Sequence, residues 1–234
     1  MSEKVAVILA GGKGTRLKPY TIALPKPLVP VGDKPILEII LLQLKQYGFT
    51  RIIITVNHKA DLIETYFGDG SKWGIQIEYS FEDIPLGTMG PLKNILNLPD
   101  HFLVMNGDIL SDINYAQLLE RHIAENRLFT ISSYKRIQYV DYGVLRLNDN
   151  ILCGFEEKPQ LSYDVSMGVY VSSKKILDEI PDNTFFGFDH LMYQLLKEKK
   201  SVHVENYEGY WMDIGRPEDY QQAVEDIENG KFAY

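Results

Sequence analysis

The sequence predicts one α/β domain, spanning residues 1–234, with a mostly parallel sheet and helices on both faces. Two observations predict this class. Short β-branched apolar runs, such as Val5 to Leu9, alternate with segments whose apolar residues recur at helical spacing. The chain is also long enough, at 234 residues with 45% hydrophobic content, to bury a complete core. Apolar strands alternating with amphipathic helices are typical of a parallel sheet covered on both sides.

The individual elements follow from the same spacing. In the helix expected over 35–47, Pro35 occupies the first turn and Ile36, Ile40 and Leu44 share one stripe. Later strands have fewer helices between them, so a more antiparallel region is expected from about residue 134, beside a core of residues 1–133. Strands are expected at 5–9, 52–56, 75–79, 102–105, 128–133 and near 142–147, 168–171 and 201–205, and helices at 35–47, 59–66, 89–97, 115–126 and 217–228.

Charge and cysteine content narrow the function classes. The net charge is −8, which argues against nucleic acid as a partner because that role requires a basic surface. Residues 1–35 are the exception, since this segment contains six Lys or Arg and only two acids, Glu3 and Asp33. The single cysteine, Cys153, fits a reducing cytoplasm, and no run of apolar residues is long enough for a signal peptide or a membrane span. A small anionic ligand is the partner these features favour, and self-association of the chain is left open.

The turn after the first strand has the composition of a phosphate-binding loop. It reads LAGGKGTRLKP, and Gly11, Gly12 and Gly14 allow backbone N–H groups to crowd around a ligand. Arg16 and Lys26 add positive charge, so the stretch suits a polyphosphate. The alternative is a tight strand-to-helix turn that happens to be basic, because short glycine motifs are common.

Three acidic sites could complete such a centre. Asp108, in MNGDIL, follows an apolar strand and suits Mg²⁺, although NGD is also a good turn sequence. Asp213, in GYWMDIGRPEDY, could be a second ligand or a surface residue. The third is GFEEKPQ at residues 154–160, which taken alone is a solvated loop. Asp108, at the carboxyl end of its strand, would lie at the same edge of the sheet as the glycine turn.

Taken in order along the chain, these segments resemble the sugar-1-phosphate nucleotidyltransferases. The resemblance rests on LAGGKGTRLKP, LPKPLVPVGDKPIL, LGTMGPL, NGD, YG, EKP and WMDIGRPEDY, and it covers nearly the whole chain. It implies a nucleotide-binding, Rossmann-like core with a small antiparallel sugar-binding region. It also implies an enzyme that joins a nucleoside triphosphate and a sugar 1-phosphate, with Mg²⁺, into an NDP-sugar and pyrophosphate for polysaccharide synthesis.

The resemblance also implies roles for individual residues. Arg16 and Lys26 would be catalytic, and Asp108 and Asp213 would hold Mg²⁺. The residues implied to bind the nucleotide are Ala10, Gly11, Gly12, Gly14, Thr15, Gly87 and Thr88. Those implied to bind the sugar phosphate are Gly143, Glu157, Lys158 and Ser166.

Two departures from the family pattern concern substrate choice. The usual Asn-Ala-Gly at the sugar is Ser166-Met167-Gly168 here, and the usual alanine after LGT is Met89. The segment EDIPLGTMGPL is nearest the mannose-1-phosphate guanylyltransferase branch, so GTP is expected, with dTTP, UTP and CTP as alternatives.

Two other function classes compete with this interpretation. A Rossmann dehydrogenase uses the same strand and glycines, but Leu17 stands where its third fingerprint glycine belongs. A non-catalytic sugar-nucleotide sensor on the same fold would be expected to lose Arg16, Lys26 or one of the acids, and all are present.

Overall fold

The fold is described by a computed structural model covering residues 3–57 and 59–234. In chain order the strands are β1 (Lys4–Leu9), β2 (Pro30–Val31), β3 (Lys34–Pro35), β4 (Phe49–Val56), β5 (Gln76–Phe81), β6 (His101–Asn106), β7 (Ile109–Ser111), β8 (Phe129–Tyr139), β9 (Gly143–Asn148), β10 (Ile151–Glu157), β11 (Gln160–Ser173), β12 (Val202–Tyr207) and β13 (Trp211–Asp213). The α-helices are α1 (Ile36–Gln46), α2 (Ala60–Phe67), α3 (Tyr115–Ala124), α4 (Phe188–Lys197) and α5 (Pro217–Glu228).

Seven strands form the central sheet, in the order β12-β8-β11-β6-β1-β4-β5. Strand β11 runs antiparallel to both of its neighbours, β6 and β8. The other four neighbouring pairs are parallel. Three small two-stranded ladders, β2 with β3, β7 with β13 and β9 with β10, lie outside it. The predicted α/β class with a mostly parallel sheet is confirmed.

The sheet is covered on both faces because alternate strand residues point to opposite sides. Ala6 and Ile8 of β1 belong to one buried cluster, which includes residues of α1, α2, α3 and α5. Val5 and Val7 belong to a second buried cluster, which includes Leu191 of α4. The central strands are apolar on both sides for this reason. No helix in the described residues is long and apolar enough to cross a bilayer.

The expected helix at 89–97 is wrong. The structure has a 3₁₀ turn there, Gly90–Asn94. A Cβ at Gly90 would lie 2.9 Å from Leu86 Cβ, so the turn packs tightly against the preceding loop. Asn97, at φ 58°, ends any helical path in the left-handed region. The apolar spacing of this stretch serves a short buried turn instead.

Other differences concern the second half of the chain. Strands β7, β10 and β13 and helix α4 were not expected, and the strand expected near 168–171 is part of the long β11. The region beyond residue 134 does contain antiparallel pairs, β8 with β11 and β9 with β10. Helix α5 has the expected bounds, and Pro35 lies at the N-cap of α1, one residue before the helix begins.

Candidate active site

A cavity of about 750 Å³ opens at the carboxyl ends of the parallel strands β1, β4, β5 and β6. This is the edge at which open α/β sheets bind ligands. Its lining is Leu9, Gly11, Gly12, Lys13, Arg16, Thr55, Asn57, Glu82, Pro85, Gly87, Thr88, Asn106, Asp108, Phe185, Gly187 and Asp189.

The glycine turn needs its glycines for two different reasons. Gly14 has φ 61°, and its carbonyl accepts a hydrogen bond of 2.8 Å from Thr21 Oγ1. A Cβ at Gly11 would lie 2.6 Å from Glu82 Oε1, so only glycine allows that carboxylate so close. Gly11 and Gly12 line the cavity, whereas the expected residues Ala10, Gly14 and Thr15 support the turn without lining it. The turn thus exposes backbone at the cavity floor.

Lys26 and the two predicted metal ligands lie together below the turn. Lys26 Nζ donates a hydrogen bond to Asp108 Oδ2. The short β7–β13 ladder pairs Ile109 with Asp213, and Ile214 N donates to Asp108 O at 3.0 Å. This long-range pairing brings the second acid to the first.

The electrostatics of this cluster fit a divalent cation. Burial raises the pKa of Asp213, the charge on Asp108 raises it further, and the charges on Lys26 and Arg16 lower it. Asp108 Oδ1 is buried and has no hydrogen-bond partner in the structure. A cation would partner that oxygen and relieve the repulsion between the carboxylates. Among residues 3–57 and 59–234 no group of three or more His, Cys, Asp or Glu could hold a metal, and an ion held by these two acids would take water and phosphate oxygens as its other ligands.

The opposite lip of the cavity joins two distant loops. Phe186 O accepts hydrogen bonds of 2.9 Å from Met89 N and Gly90 N, and Phe186 N donates to Leu86 O at 2.8 Å. Gly87 has φ 80°, and a Cβ there would lie 2.8 Å from Phe186 O. Thr88 Oγ1 accepts a bond of 2.7 Å from Phe188 N. The predicted residues Gly87 and Thr88 therefore line the cavity together with the segment 185–189.

Phe185 and Asp189 are cavity residues that the sequence reasoning missed. Both lie on that second lip, and the Phe185 side chain is 58% exposed at the cavity. No motif marks NTFFGFDH, and only the hydrogen bonds to residues 86–90 place it here. A local pattern could not have found them, because the contact joins segments about a hundred residues apart.

Glu82 is a further cavity residue that was missed, and it is the most informative one. It follows β5, its Oε2 accepts a bond of 3.0 Å from Leu86 N, and its Oε1 lies beside Gly11. Burial raises the pKa of the Glu82 carboxyl, while the bond from Leu86 N lowers it. An ionised carboxylate only accepts hydrogen bonds, so this side of the cavity offers acceptors to a ligand. No signal in the sequence singled it out, because the preceding strand, QIEYSF, is mixed in polarity and EDIP has the composition of a charged loop.

The expected sugar-phosphate residues divide into two groups. Gly143 of β9 pairs with Glu157 of β10, and Lys158 follows in the left-handed region at φ 47°. A Cβ at Gly143 would lie 2.6 Å from Phe155 Cε2 and 3.1 Å from Glu157 Oε2. The structure brings these three together on the β9–β10 hairpin, but none of them lines the cavity.

Ser166 forms the second group and lies nearer the acids. Its hydroxyl donates to Tyr170 Oη at 3.1 Å and accepts from Gly168 N at 3.3 Å. A Cβ at Gly168 would lie 2.6 Å from Asn106 Nδ2, which links this bulge to the cavity lining. Burial raises the pKa of Tyr170 to about 12, with contributions from Asp108 and Asp213. Ser166 therefore bonds to a tyrosine whose pKa responds to the charges of both acids.

Comparisons with known proteins agree with this geometry. A family model described as nucleotidyl transferase matches residues 5–230. The D-glycero-alpha-D-manno-heptose 1-phosphate guanylyltransferase of Aneurinibacillus thermoaerophilus is 32% identical, with 96% of this chain and 98% of that protein covered. The crystal structure of HddC from Yersinia pseudotuberculosis has a TM-score of 0.76 at 31% identity and covers 96% of this chain and 99% of that one. A second structure of that protein is complexed with GMP-PN, at a TM-score of 0.75.

Longer relatives are similar over part of their length. The UTP–glucose-1-phosphate uridylyltransferase of Synechocystis is 35% identical over 95% of this chain, which spans 63% of that protein. The mannose-1-phosphate guanylyltransferase of Mycobacterium tuberculosis is 32% identical over 96% of this chain, which spans 65% of that protein. The named activities of these relatives share sugar 1-phosphates as substrates and differ in the nucleotide.

Proposed function

Because this chain belongs to the nucleotidyl transferase family, we propose that it condenses GTP with a sugar 1-phosphate. The products are a GDP-sugar and pyrophosphate. Glu82 is the observation that carries the choice of GTP, and the paired acids with Lys26 and Arg16 support the reaction type. A cytoplasmic setting suits the single cysteine and these phosphorylated substrates.

The reaction needs positioning and charge compensation more than covalent chemistry. An oxygen of the sugar phosphate attacks the α-phosphorus, and the bond from that phosphorus to the β-phosphate oxygen breaks as pyrophosphate leaves. No group on the protein becomes covalently attached to the substrate. Gly11 and Gly12 would bring backbone N–H groups to the phosphates, and Arg16 would hold the leaving pyrophosphate. Lys26 would lie against the reacting centre, since it already contacts Asp108.

Asp108 and Asp213 are the side chains that would hold Mg²⁺. When bound, this ion supplies positive charge that polarises the phosphate oxygens. The unpartnered Asp108 Oδ1 and the mutual repulsion of the two acids support this assignment. Lys26, bound to the other oxygen of Asp108, would fix the orientation of that carboxylate.

Glu82 supports a guanine base on hydrogen-bonding grounds. The Watson–Crick edge of guanine presents two adjacent donors, N1–H and N2–H₂, and a carboxylate can accept both. Uracil and thymine present one N–H between two carbonyl oxygens, which would face the second carboxylate oxygen unfavourably. Cytosine and adenine each place an acceptor beside their amino group. A carboxylate in this cavity therefore favours GTP over the other nucleotides.

The acceptor would bind at the other end of the cavity. Ser166 adjoins Asn106 through Gly168, so it would contact the sugar ring, while Glu157 and Gly143 would take its hydroxyls and Lys158 its phosphate. The relatives named above act on glucose, mannose and heptose 1-phosphates. A hexose or heptose 1-phosphate is the proposed acceptor class.

UTP is the second candidate, because the Synechocystis uridylyltransferase is 35% identical to this chain. One experiment distinguishes GTP from UTP as the nucleotide substrate. The purified protein is assayed for pyrophosphate release with Mg²⁺, each nucleoside triphosphate and a panel of mannose, glucose, glucosamine and heptose 1-phosphates. GTP should be the best nucleotide. A preference for UTP or dTTP would overturn the choice of base, and no pyrophosphate with any pair would overturn the reaction.

Glu82→Gln sharpens the assay, with Asp83→Asn as its matched control. The amide keeps one acceptor and replaces the other with a donor, so preference for GTP over UTP should fall about tenfold or more. Asp83 is the exposed neighbouring acid and does not line the cavity, so Asp83→Asn should leave the preference unchanged. An unchanged preference in Glu82→Gln would remove this residue from base selection.

A further inference from the structure

Phe185 presents an aromatic ring to the cavity, although the residue that follows it is buried. Phe185 is 58% exposed, whereas Phe186 is 8% exposed and belongs to the buried cluster that includes Leu191. Single exposed apolar side chains are common on protein surfaces. The position of this one distinguishes it, because Phe185 alone is aromatic among the described residues that line the cavity. A ligand bound in the cavity can therefore cover this ring.

The backbone beside Phe185 is held in place by hydrogen bonds. Phe186 N donates to Leu86 O at 2.8 Å, and Phe186 O accepts from Met89 N and Gly90 N at 2.9 Å each. Both polar backbone groups of Phe186 are thus bonded to the loop on the other side of the lip. A phenylalanine side chain has only two rotatable bonds, so a ring beside this fixed backbone loses little freedom when a ligand binds.

Leu86 also holds the Glu82 carboxylate, so the ring and the acid are anchored at one residue. Leu86 N donates to Glu82 Oε2 at 3.0 Å, while Leu86 O accepts from Phe186 N. Glu82, Pro85 and Phe185 all line the cavity around this point. Pro85 and Phe185 supply apolar surface, and Glu82 supplies hydrogen-bond acceptors. This composition suits a planar group with apolar faces and a polar edge, which describes a nucleobase.

We propose that the Phe185 ring stacks on the face of the nucleotide base while Glu82 binds the edge of that base. Every base has a π face, so stacking on an aromatic side chain strengthens binding without reading the hydrogen-bonding pattern of the base. The edge carries that pattern, and Glu82 accepts hydrogen bonds from it. The proposal rests on the proposed function for the identity of the base, guanine, and adds a second element of its recognition.

The acceptor sugar is the other group that could cover the ring. Phe188 stacks on Tyr170 with ring centroids 4.8 Å apart, and Tyr170 Oη accepts a bond of 3.1 Å from the Ser166 hydroxyl. The lip therefore contacts the proposed sugar end at Phe188, three residues beyond Phe185. The base is favoured because Phe185 adjoins the loop anchored at Leu86, which also holds the acid. Both faces of a base are also apolar, whereas hydroxyl groups surround a sugar ring.

Equilibrium binding of GTP, ITP and UTP with Mg²⁺, measured by calorimetry without a sugar 1-phosphate, tests the proposal. Hypoxanthine, the base of ITP, has the fused rings and the N1–H of guanine but lacks its N2 amino group. Phe185→Ala should weaken GTP and ITP by a similar factor, about tenfold, and leave their ratio unchanged. Glu82→Gln should instead reduce the preference for GTP over ITP. Tyr193→Ala is the matched control and should change neither affinity, because Tyr193 is 72% exposed on α4 and does not line the cavity.

A spectroscopic measurement follows the stacking itself. Phe185→Trp adds an indole to the two tryptophans of the chain, and GTP should quench the added fluorescence, whereas mannose 1-phosphate should not. Unchanged GTP affinity in Phe185→Ala, or a loss confined to the KM for the sugar 1-phosphate, would overturn the proposal. If the wild-type protein prefers UTP, the choice of GTP fails and stacking is judged on UTP instead. Weaker UTP binding in Phe185→Ala would then support stacking, and unchanged UTP binding would overturn it.

Discussion

The two ends of the candidate site are held in opposite ways. At the proposed nucleotide end, Gly11, Glu82 and Asp108 lie within two residues of the ends of β1, β5 and β6 in the buried central sheet, and a Cβ at Gly11 would lie 2.6 Å from Glu82 Oε1. At the sugar end, Glu157 and Lys158 lie on or beside an exposed two-stranded hairpin that contributes nothing to the core.

This difference indicates which property of the protein can change through substitutions at each end of the site. A residue locked by the core cannot change its position without cost to stability, so the triphosphate chemistry is tied to the fold. The hairpin can change sequence with little effect on the core. Acceptor choice is therefore the property we expect to be adjustable, and reaction type the property we expect to be fixed.

The largest effect should come from removing charge at the nucleotide end. Lys26→Ala or Arg16→Ala should lower kcat on the order of a hundredfold or more, since each would lose a contact made in the transition state. Steady-state kinetics measure this, with circular dichroism to confirm folding. Lys18→Ala is the control, because Lys18 is exposed in the same segment and does not line the cavity. Lys26, unlike Lys18, contacts Asp108. Near-normal turnover in the Lys26 or the Arg16 variant would remove that residue from the mechanism.

The acids should give the next largest effect. Asp108→Asn and Asp213→Asn should each raise the Mg²⁺ concentration needed for half-maximal activity by roughly tenfold or more, because each removes one anionic ligand from a small set. Titration of activity with Mg²⁺ measures the change. If Asp213→Asn keeps the wild-type Mg²⁺ dependence, the role of Asp213 is structural and Asp108 alone binds the ion.

Two glycines allow the cost of backbone strain to be distinguished from the cost of a steric clash beside Phe186. Gly87 and Gly48 have φ 80° and 81°, but a Cβ at Gly87 would lie 2.8 Å from Phe186 O and one at Gly48 would meet nothing within 4 Å. Gly48→Ala should cost about 1–2 kcal/mol from the left-handed backbone. Gly87→Ala should cost about 1–3 kcal/mol more from the clash. Urea unfolding of both variants measures the difference in their free energies of unfolding. Equal losses of stability would show that the loop around Phe186 moves to accommodate the added Cβ.

The smallest effects should come from the sugar end. Glu157→Gln should weaken binding of every sugar 1-phosphate by a similar factor, about tenfold or less, with no change in thermal stability. Ser166→Asn should change the ranking among sugars more than the rate with the best nucleotide. Competition assays among mannose, glucose, glucosamine and heptose 1-phosphates measure both. An unchanged ranking in Ser166→Asn would assign acceptor choice to other residues.

The sequence predicted those features that depend on local rules. Glycines at 11 and 14 and the bounds of α5 follow from backbone freedom and capping, and the structure has them. Helix α4 could also have been predicted, since Leu191 and Leu195 are spaced four apart in the sequence, and both are fully buried in the structure. The 3₁₀ turn at Gly90–Asn94 could not, because its conformation depends on packing against Leu86 and Thr184.

The rest of the site depends on contacts between distant segments. Asp213 reaches Asp108 only through the β7–β13 ladder, and resemblance rather than spacing identified it. Phe185 and Asp189 reach the cavity only through hydrogen bonds to residues 86–90. In the sequence, Glu82 resembles any acidic residue of a surface loop. Only the structure shows that its carboxylate lies beside Gly11 in the cavity. Such pairings leave no periodic signal along one chain.

The central claim is that this cavity transfers the nucleotidyl group by attack at the α-phosphorus, and the fate of radiolabel from GTP tests it most directly. With GTP labelled at the α-phosphate, a sugar 1-phosphate and Mg²⁺, the label should appear in the nucleotide sugar. With GTP labelled at the γ-phosphate it should appear in pyrophosphate. Label from the γ-phosphate in inorganic phosphate or on the sugar, with none from the α-phosphate in a sugar product, would contradict the account.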